Sequence, residues 1–327
     1  MIITRTPFRI SFVGGGSDLK EFYSQFPGAV LSTTINKYMY ISSHRFFEPE
    51  KTRAKYAITE TVDTIDDLKH PIIREALRKF NLPGGYEFSS IADIPAGTGM
   101  GSSSAFTVGM FHNLYAITGN YVSKEQLAED ACQLEIDILK EPIGKQDQYA
   151  ASFGGLNIIR FRQDGKVIVE PLHIKQEIYE RLENNLVLFY IGNARKASDI
   201  LSEQKKNINQ KEKFEIQRQM VLLVDELKVA LYNQRIDDFG KLLHENWVLK
   251  QKLASKISNP EINEIYNTAL KNGATGGKLL GAGGGGFMLF YCEKERQQQL
   301  IDKIKARHFE FKFDTEGTKL IYFADEK

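Results

Sequence analysis

The sequence predicts an α+β protein built as two domains. Three observations carry this reading. The chain has 327 residues, more than one hydrophobic core usually serves. Its first half alternates β-rich segments with helical patterns, as expected of a mixed sheet covered by helices. Its second half opens on an apolar strand pattern, passes through a long helical region and closes on two further strands. The expected division is 1–170 and 171–327, with the boundary in the stretch from Gly165 to Ile178.

In chain order, Ile2 to Val13 and Tyr38 to Arg45 are rich in β-branched and aromatic residues and read as strands. Pro71 to Phe80 reads as a helix. After a glycine-rich loop, Ala105, Phe106, Val108, Met110, Phe111, Leu114, Tyr115 and Ile117 recur at helical spacing, giving an amphipathic helix that stops at Gly119-Asn120. A second helix is expected from Lys124 to Leu139 and a strand from Gly155 to Phe161. Beyond the boundary, Leu186 to Ile191 is a strand, Ile200 to Leu253 is helical with Met220, Leu223, Leu227 and Leu231 as a core stripe, and Pro260 to Lys271 is a further helix. Phe287 to Cys292 and Leu320 to Phe323 are the closing strands.

Composition excludes several classes of function. Forty-three basic against 42 acidic residues leave a formal charge of +1 with no basic tract, so no nucleic-acid footprint is expected. Cys132 and Cys292 stand outside any metal-binding spacing and fit a reduced, cytoplasmic setting, and the histidines show no paired ligand spacing. No apolar run reaches membrane-spanning length and the first residues do not read as a signal peptide, so no membrane partner is expected.

The chemistry lies in glycine runs. In Pro95-Ala-Gly-Thr-Gly-Met-Gly-Ser-Ser-Ser-Ala-Phe106, the residues Gly97, Gly99 and Gly101 can take positive φ and let backbone N–H groups converge on a phosphate at a helix start. No Gly-Lys-Ser/Thr follows, so this is not a P-loop, and the spacing is not that of a dinucleotide fingerprint. Gly281, Gly283 and Gly286 do satisfy Gly-x-Gly-x-x-Gly, but this run precedes a strand, whereas a dinucleotide loop follows one. A backbone that must approach something closely is the remaining reading.

Three ordered segments resemble the GHMP small-molecule kinases. The ATP loop of that family, Pro-x-x-x-Gly-Leu-Gly-Ser-Ser-Ala, is matched with Met100 for leucine and Ser104 at the alanine position. Pro7-Phe-Arg-Ile-Ser-Phe-Val-Gly-Gly-Gly-Ser-Asp18 looks like the first family motif and Lys278-Leu-Leu-Gly-Ala-Gly-Gly-Gly-Gly-Phe287 like the third. Gly15-Gly16 stands where galactokinases have Glu-His. With Gly144-Lys-Gln-Asp-Gln-Tyr-Ala-Ala151 and Gly192-Asn-Ala-Arg-Lys196, this version looks most like the branch of D-glycero-D-manno-heptose 7-phosphate kinases and fucokinases, and the compact length favours the former.

The resemblance implies a ribosomal-protein-like mixed α/β amino-terminal domain and a ferredoxin-like α+β carboxy-terminal domain. It implies an ATP-dependent kinase acting on the anomeric hydroxyl of a sugar phosphate, with Mg2+ as cofactor. Pro95, Gly97, Gly99, Met100, Gly101, Ser102, Ser103 and Ser104 would hold the nucleotide. Asp147 would be the general base, with Arg9 or Lys145 adjusting its affinity for a proton and stabilising the transition state. Glu135 and Ser103 would hold the metal, with Ser102 and Ser104 as the other candidate hydroxyls.

Asp18, with Ser11 and Ser17, would grip sugar hydroxyls, and Arg195 and Lys196 a second phosphate. The loop containing Gly283 and Gly284 would close the site near the transferred phosphate. His244, Trp247 and Lys250 share a helical face that could line the acceptor cavity, with Trp247 more often a core residue. The expected partners are the sugar phosphate and ATP, with a homodimer as the assembly to test. A fucokinase or other monosaccharide 1-kinase is the neighbouring alternative. The alternative of another class is a non-catalytic binding or regulatory protein on the same scaffold, which would not need Asp147, Glu135 and the serine run together.

Overall fold

A computed structural model describes residues 1–192 and 197–324. Seven strands belong to the first half: β1 (Ile2–Val13), β2 (Gly28–Arg45), β3 (Thr52–Lys55), β4 (Thr59–Val62), β5 (Tyr86–Ala92), β6 (Asn157–Phe161) and β7 (Val167–Pro171). β2 organises their sheet because its 18 residues are long enough to serve several neighbours. It runs antiparallel to β1, to β5 and to β6, while β3 adds to β5 in parallel.

The helices of this half are α1 (Lys20–Tyr23), α2 (Pro71–Lys79), α3 (Ser102–Ile117), α4 (Lys124–Cys132), α5 (Gln146–Phe153) and α6 (Gln176–Asn184). The sequence reads α3 as amphipathic, but it is buried on nearly every side, lying between the β1–β2 face and α4 and α5. A helix enclosed by sheet and helices has no solvent face to keep polar. The single helix expected from Lys124 to Leu139 is α-helical only to Cys132. It then widens into a π-helical turn over Gln133–Ile138, where the Leu139 N–H donates to Leu134 O at 2.9 Å. Such turns admit one extra residue and are frequent at functional sites.

The second half contributes β8 (Leu186–Tyr190), α7 (Ala197–Asn207), α8 (Lys211–Tyr232), α9 (Asp238–Gln251), α10 (Pro260–Lys271), β9 (Ala274–Leu279), β10 (Phe287–Cys292), α11 (Lys294–Lys303), β11 (Arg307–His308), β12 (Phe313–Asp314) and β13 (Lys319–Phe323). Four of these strands form an antiparallel sheet in the order β11-β8-β10-β9. The helical region expected from Ile200 to Leu253 is built of three helices, and Gln234, with φ of 60°, stands at the second break. The last two strands leave this sheet: β12 pairs with β2 and β13 with β1. They therefore lie in the first sheet, on the far side of the expected division at 170.

Backbone contact between α9 and β9 seats this helix directly on the second sheet. A Cβ at Gly276 would lie 1.8 Å from Gly240 O, so helix and strand meet with no side chain between them. Asn246, farther along α9, accepts a hydrogen bond from the Gly14 N–H (3.1 Å) at the end of β1. Gly276→Ala should force the backbones apart and lower the unfolding free energy by about 2 kcal/mol, the usual scale for overpacking, as read from urea denaturation.

Candidate active site

The glycine loop has the conformation that its residues allow. Gly97, Gly99 and Gly101 have φ of 76°, 81° and 76°, and Gly101 is the N-cap of α3, whose first turn carries Ser102, Ser103 and Ser104. Nothing lies within 4 Å of a Cβ built on Gly97, so that side of the loop is open. The other side is closed by the third glycine run. A Cβ at Gly99 would lie 2.7 Å from Leu280 O, one at Gly281 2.3 Å from Gly99 Cα, and one at Gly286 2.3 Å from Thr98 O. Two glycine-rich backbones thus pack directly on each other, which explains the density of glycine in both.

Arg9 and Asp147 join this loop to the rest of the site. Asp147 stands in the first turn of α5, where the helix dipole favours a carboxylate. The Arg9 guanidinium donates to both of its oxygens, Nε to Oδ1 at 2.6 Å and Nη2 to Oδ2 at 2.7 Å, and Nη1 donates to Gly99 O at 2.6 Å. This bidentate grip fixes the carboxylate plane. A Cβ at Gly101 would come within 3.1 Å of Asp147 Oδ2, so the glycine loop touches the carboxylate itself.

Glu135, presented by the π-helical turn, is fully buried. Ser103 Oγ donates to Oε1 at 2.5 Å and Gln148 Nε2 donates to Oε2 at 2.7 Å. No described cation pairs with it. Burial, with a smaller push from Asp147, raises its carboxyl to about 7 despite hydrogen bonds from Ser103, Gln148 and Ser104 that lower it. The arrangement joins a carboxylate and a hydroxyl, both hard oxygen donors, without a counter-charge. Among the described residues no group of three His, Cys, Asp or Glu side chains could hold a metal unaided, so an ion here would also need phosphate oxygens and water.

Beside Asp147 lies a cleft lined by Arg9, Ser11, Asp18, Gln146, Lys250 and Gly281 among others. Asp18 is buried, and its carboxylate accepts from the Gly16 N–H (3.1 Å), the Gln146 N–H (3.2 Å) and Gln146 Nε2 (3.2 Å). Burial, then the negative charge of Asp147, raises its affinity for a proton. The loop fits around Asp18 only because residue 144 is glycine: a Cβ there would lie 2.0 Å from Asp18 Oδ2. Gln146 Oε1 is buried without a partner, and a sugar hydroxyl could supply one.

Other expected site residues lie elsewhere. Lys145 points away from Asp147: its ammonium donates to Gly165 O (2.8 Å) and sits over the Tyr23 ring, lining a neighbouring cavity. Ser17 is buried, with Oγ donating to Ala29 O (2.9 Å) and accepting from the Ala29 N–H (3.0 Å), which leaves it a structural tie between loop and strand. Gly283 and Gly284 pack on Ile257, and it is Gly281 and Ala282 that face the cleft. Met100 is buried and offers the loop its carbonyl, which accepts from the Arg9 N–H at 3.1 Å. Pro95 caps the loop through its carbonyl, which accepts from Thr98 Oγ1 at 2.9 Å.

Arg195 and Lys196 lie outside the described residues. Trp247 is a core residue and His244 shares a hydrogen bond with the Tyr266 hydroxyl (2.7 Å), leaving Lys250 as the member of that trio in the cleft. Sequence reasoning missed Gln146 and Gln204, which also line the cleft, and assigned no function to Lys278. Gln146 stands inside the segment Gly144 to Ala151 but has no assigned role there, and Gln204 belongs to no motif, so the fold had to find their place in the cleft. Cys132 and Cys292 are both buried and free, and no helix of the described residues is long and apolar enough to cross a membrane.

Two family models match the chain, GHMP kinases N terminal domain over residues 68–155 and GHMP kinases C terminal over 227–310, together more than half of its length. A D-glycero-alpha-D-manno-heptose 7-phosphate kinase of Campylobacter jejuni is 29% identical over 97% of this chain and 98% of its own. The bifunctional fucokinase/GDP-fucose pyrophosphorylase of Arabidopsis thaliana is 26% identical over 93% of this chain but only 31% of its own. Among solved structures, a D-glycero-D-manno-heptose 1-phosphate kinase from Bacteroides thetaiotaomicron superposes with a TM-score of 0.81 at 23% identity, covering 99% of this chain and 100% of that one. A mevalonate kinase does so at 0.74 and 21%, covering 97% and 100%.

The raised carboxyl of Glu135 gives a pH test. A folded-state value of about 7 against an ordinary 4.5 means the folded protein favours the protonated form, so this stability is present at low pH and lost as pH rises through about 7. Glu135→Gln cannot ionise. As pH goes from about 5 to 8, urea unfolding should show its stability gaining on wild type by roughly 2 to 3 kcal/mol; parallel curves would remove the assignment of a strained carboxylate.

Proposed function

Because the chain belongs to the GHMP kinase family, phosphotransferases with an alcohol group as acceptor, we propose that it moves the γ-phosphoryl group of ATP to the anomeric hydroxyl of D-glycero-D-manno-heptose 7-phosphate. The product would be the 1,7-bisphosphate. The observation that carries the catalytic part is the Arg9 guanidinium bridging Gly99 of the phosphate loop and both oxygens of Asp147. It ties the first glycine loop to a carboxylate that lines the cleft, which supports this reading. The choice of heptose phosphate draws on the Campylobacter relative, which matches nearly the whole chain, and on Asp18 and the unpaired Gln146 Oε1 as hydroxyl partners. We place the reaction in the cytoplasm, in keeping with two buried free thiols.

In this reading the triphosphate lies along Gly97 to Gly101, with oxygens toward the unpaired N–H groups at the start of α3. Glu135 and Ser103 would hold magnesium, which when bound neutralises phosphate charge and orients the reacting group. Asp18 and Gln146 orient the sugar so that its anomeric hydroxyl faces Asp147. Asp147 accepts the hydroxyl proton on an oxygen that Arg9 keeps fixed in space. Because phosphoryl transfer has a loose transition state, this orientation matters more than raw basicity. Arg9 then lies beside the charge that develops on the moving group.

Product analysis by mass spectrometry and phosphorus NMR, with ATP and a panel of heptose 7-phosphate, fucose, galactose and mevalonate, tests the substrate. Heptose 7-phosphate should be phosphorylated at C1 with the highest kcat/KM; a preference for unphosphorylated fucose would replace the assignment. Asp147→Ala should lower kcat by about 1,000-fold or more while ATP binding, followed by calorimetry, changes little. Wild-type turnover in that variant would remove Asp147 from the mechanism.

A further inference from the structure

Three cations converge on one wall of the cleft: Arg9, Lys250 and Lys278. Lys278, on β9, is 2% exposed and its ammonium donates to Ser11 O and Phe12 O, both at 2.8 Å. Lys250, in the last turn of α9, is 7% exposed and donates to Leu279 O (3.3 Å) and to Gly281 O. In its charged form a lysine head has three donors, so each ammonium would retain one N–H beyond these carbonyl bonds.

The nearby carboxylates are engaged elsewhere. Asp147 is held by Arg9, Asp18 accepts from Gly16 and Gln146, and neither lysine forms an ion pair among the described residues. Like charges buried side by side without a counter-ion are costly. Burial and then Arg9 lower Lys250 to about 7, and burial, then Lys250 and Arg9, take Lys278 well below its ordinary value. An anion entering this wall of the cleft would relieve that cost.

Position identifies the anion. Lys250 bonds the carbonyl of Gly281, and Gly281 lies against Gly99 of the phosphate loop, so the Lys250 head sits where the nucleotide side meets the acceptor side. Lys278 is deeper, tied to the backbone of β1, and its two bonds align the strand that carries Arg9. We propose that Lys250 is a further catalytic residue of this kinase, donating its free N–H to an oxygen of the phosphoryl group in transit, with Arg9 as the second cation. The step balances simply: the bond from the γ-phosphorus to the bridging oxygen breaks, a bond to the acceptor oxygen forms, the hydroxyl proton passes to Asp147, and ADP keeps the bridging oxygen and its charge. This inference rests on the kinase reading above and adds a charge supplied by the second domain.

The test uses the full chain and whichever panel acceptor wild type phosphorylates. Lys250→Met keeps length and apolar volume but loses the charge, and it should lower kcat by about 100-fold, the scale for removing one donor to a transition state, with both KM values nearly unchanged. Lys250→Arg should recover part of that loss. A Lys250→Met enzyme with wild-type kcat would overturn the role of Lys250 and leave the kinase reading standing, whereas a wild type inactive on every acceptor would count against the reading itself. If Lys250→Met does not fold, wild type decides. ADP with aluminium fluoride and acceptor should reduce reductive methylation of Lys250, read by peptide mass spectrometry, severalfold relative to ADP and acceptor alone. Equal labelling would overturn the proposal.

Discussion

Arg9 is the residue on which the site depends. Its backbone N–H donates to Met100 O, one guanidinium nitrogen donates to Gly99 O, and the other two hold Asp147. A strand, a glycine loop and the first turn of a helix, far apart in sequence, are thereby fixed relative to one another. The guanidinium suits this task because its donors lie in one rigid plane and it stays charged when buried. A lysine could neutralise Asp147 but could not orient it and hold the loop together.

Around that residue, close backbone contact does what side chains do elsewhere. The first glycine loop and the third glycine run touch at Gly99 and Gly281, α9 meets β9 at Gly240 and Gly276, and Gly144 leaves room for the Asp18 carboxylate. Each contact removes the volume of a side chain, so polar backbone groups and charged heads from both halves of the chain crowd into a small space. The electrostatics follow from this crowding. Glu135 and Asp18 hold protons more tightly and Lys250 and Lys278 less tightly than usual, in each case chiefly because burial penalises charge. Three of these perturbed groups, Asp18, Lys250 and Lys278, line one cleft, which marks it as a candidate functional site.

Much of this was legible in the sequence where a residue type is forced by geometry. The positive φ of the three loop glycines and the serines at the start of α3 could be read in advance because a glycine-rich turn into a helix restricts the backbone, whereas Glu135 is singled out only through the family resemblance. The strands β1 and β10 and the helix α10 were readable from their apolar spacing and bounding residues. By contrast β9, Ala-Thr-Gly-Gly-Lys-Leu, carries almost no β-forming signal, and its glycines serve helix contact rather than strand propensity. Lys145 misled because adjacency to Asp147 in sequence says nothing of direction across a helix N-terminus, where one side chain turned to Gly165 O and the other to Arg9. Gln204 gave no signal at all, and Gln146, though inside the segment Gly144 to Ala151, reaches the cleft through tertiary contact that the motif does not spell out.

The return of the chain's final strands to the first sheet has a bearing on how the protein is made. β1 has β2 on one side and β13 on the other, and β2 receives β12. Arg9 and the glycine loop before α3 are translated before the strands that close their sheet, and that sheet stays open along β1 until residues 319 to 323 have left the ribosome. Domains usually mature in the order of their synthesis. Here the amino-terminal half would wait with an unpaired edge, exposed to association with other nascent chains, until the carboxy-terminal half is complete.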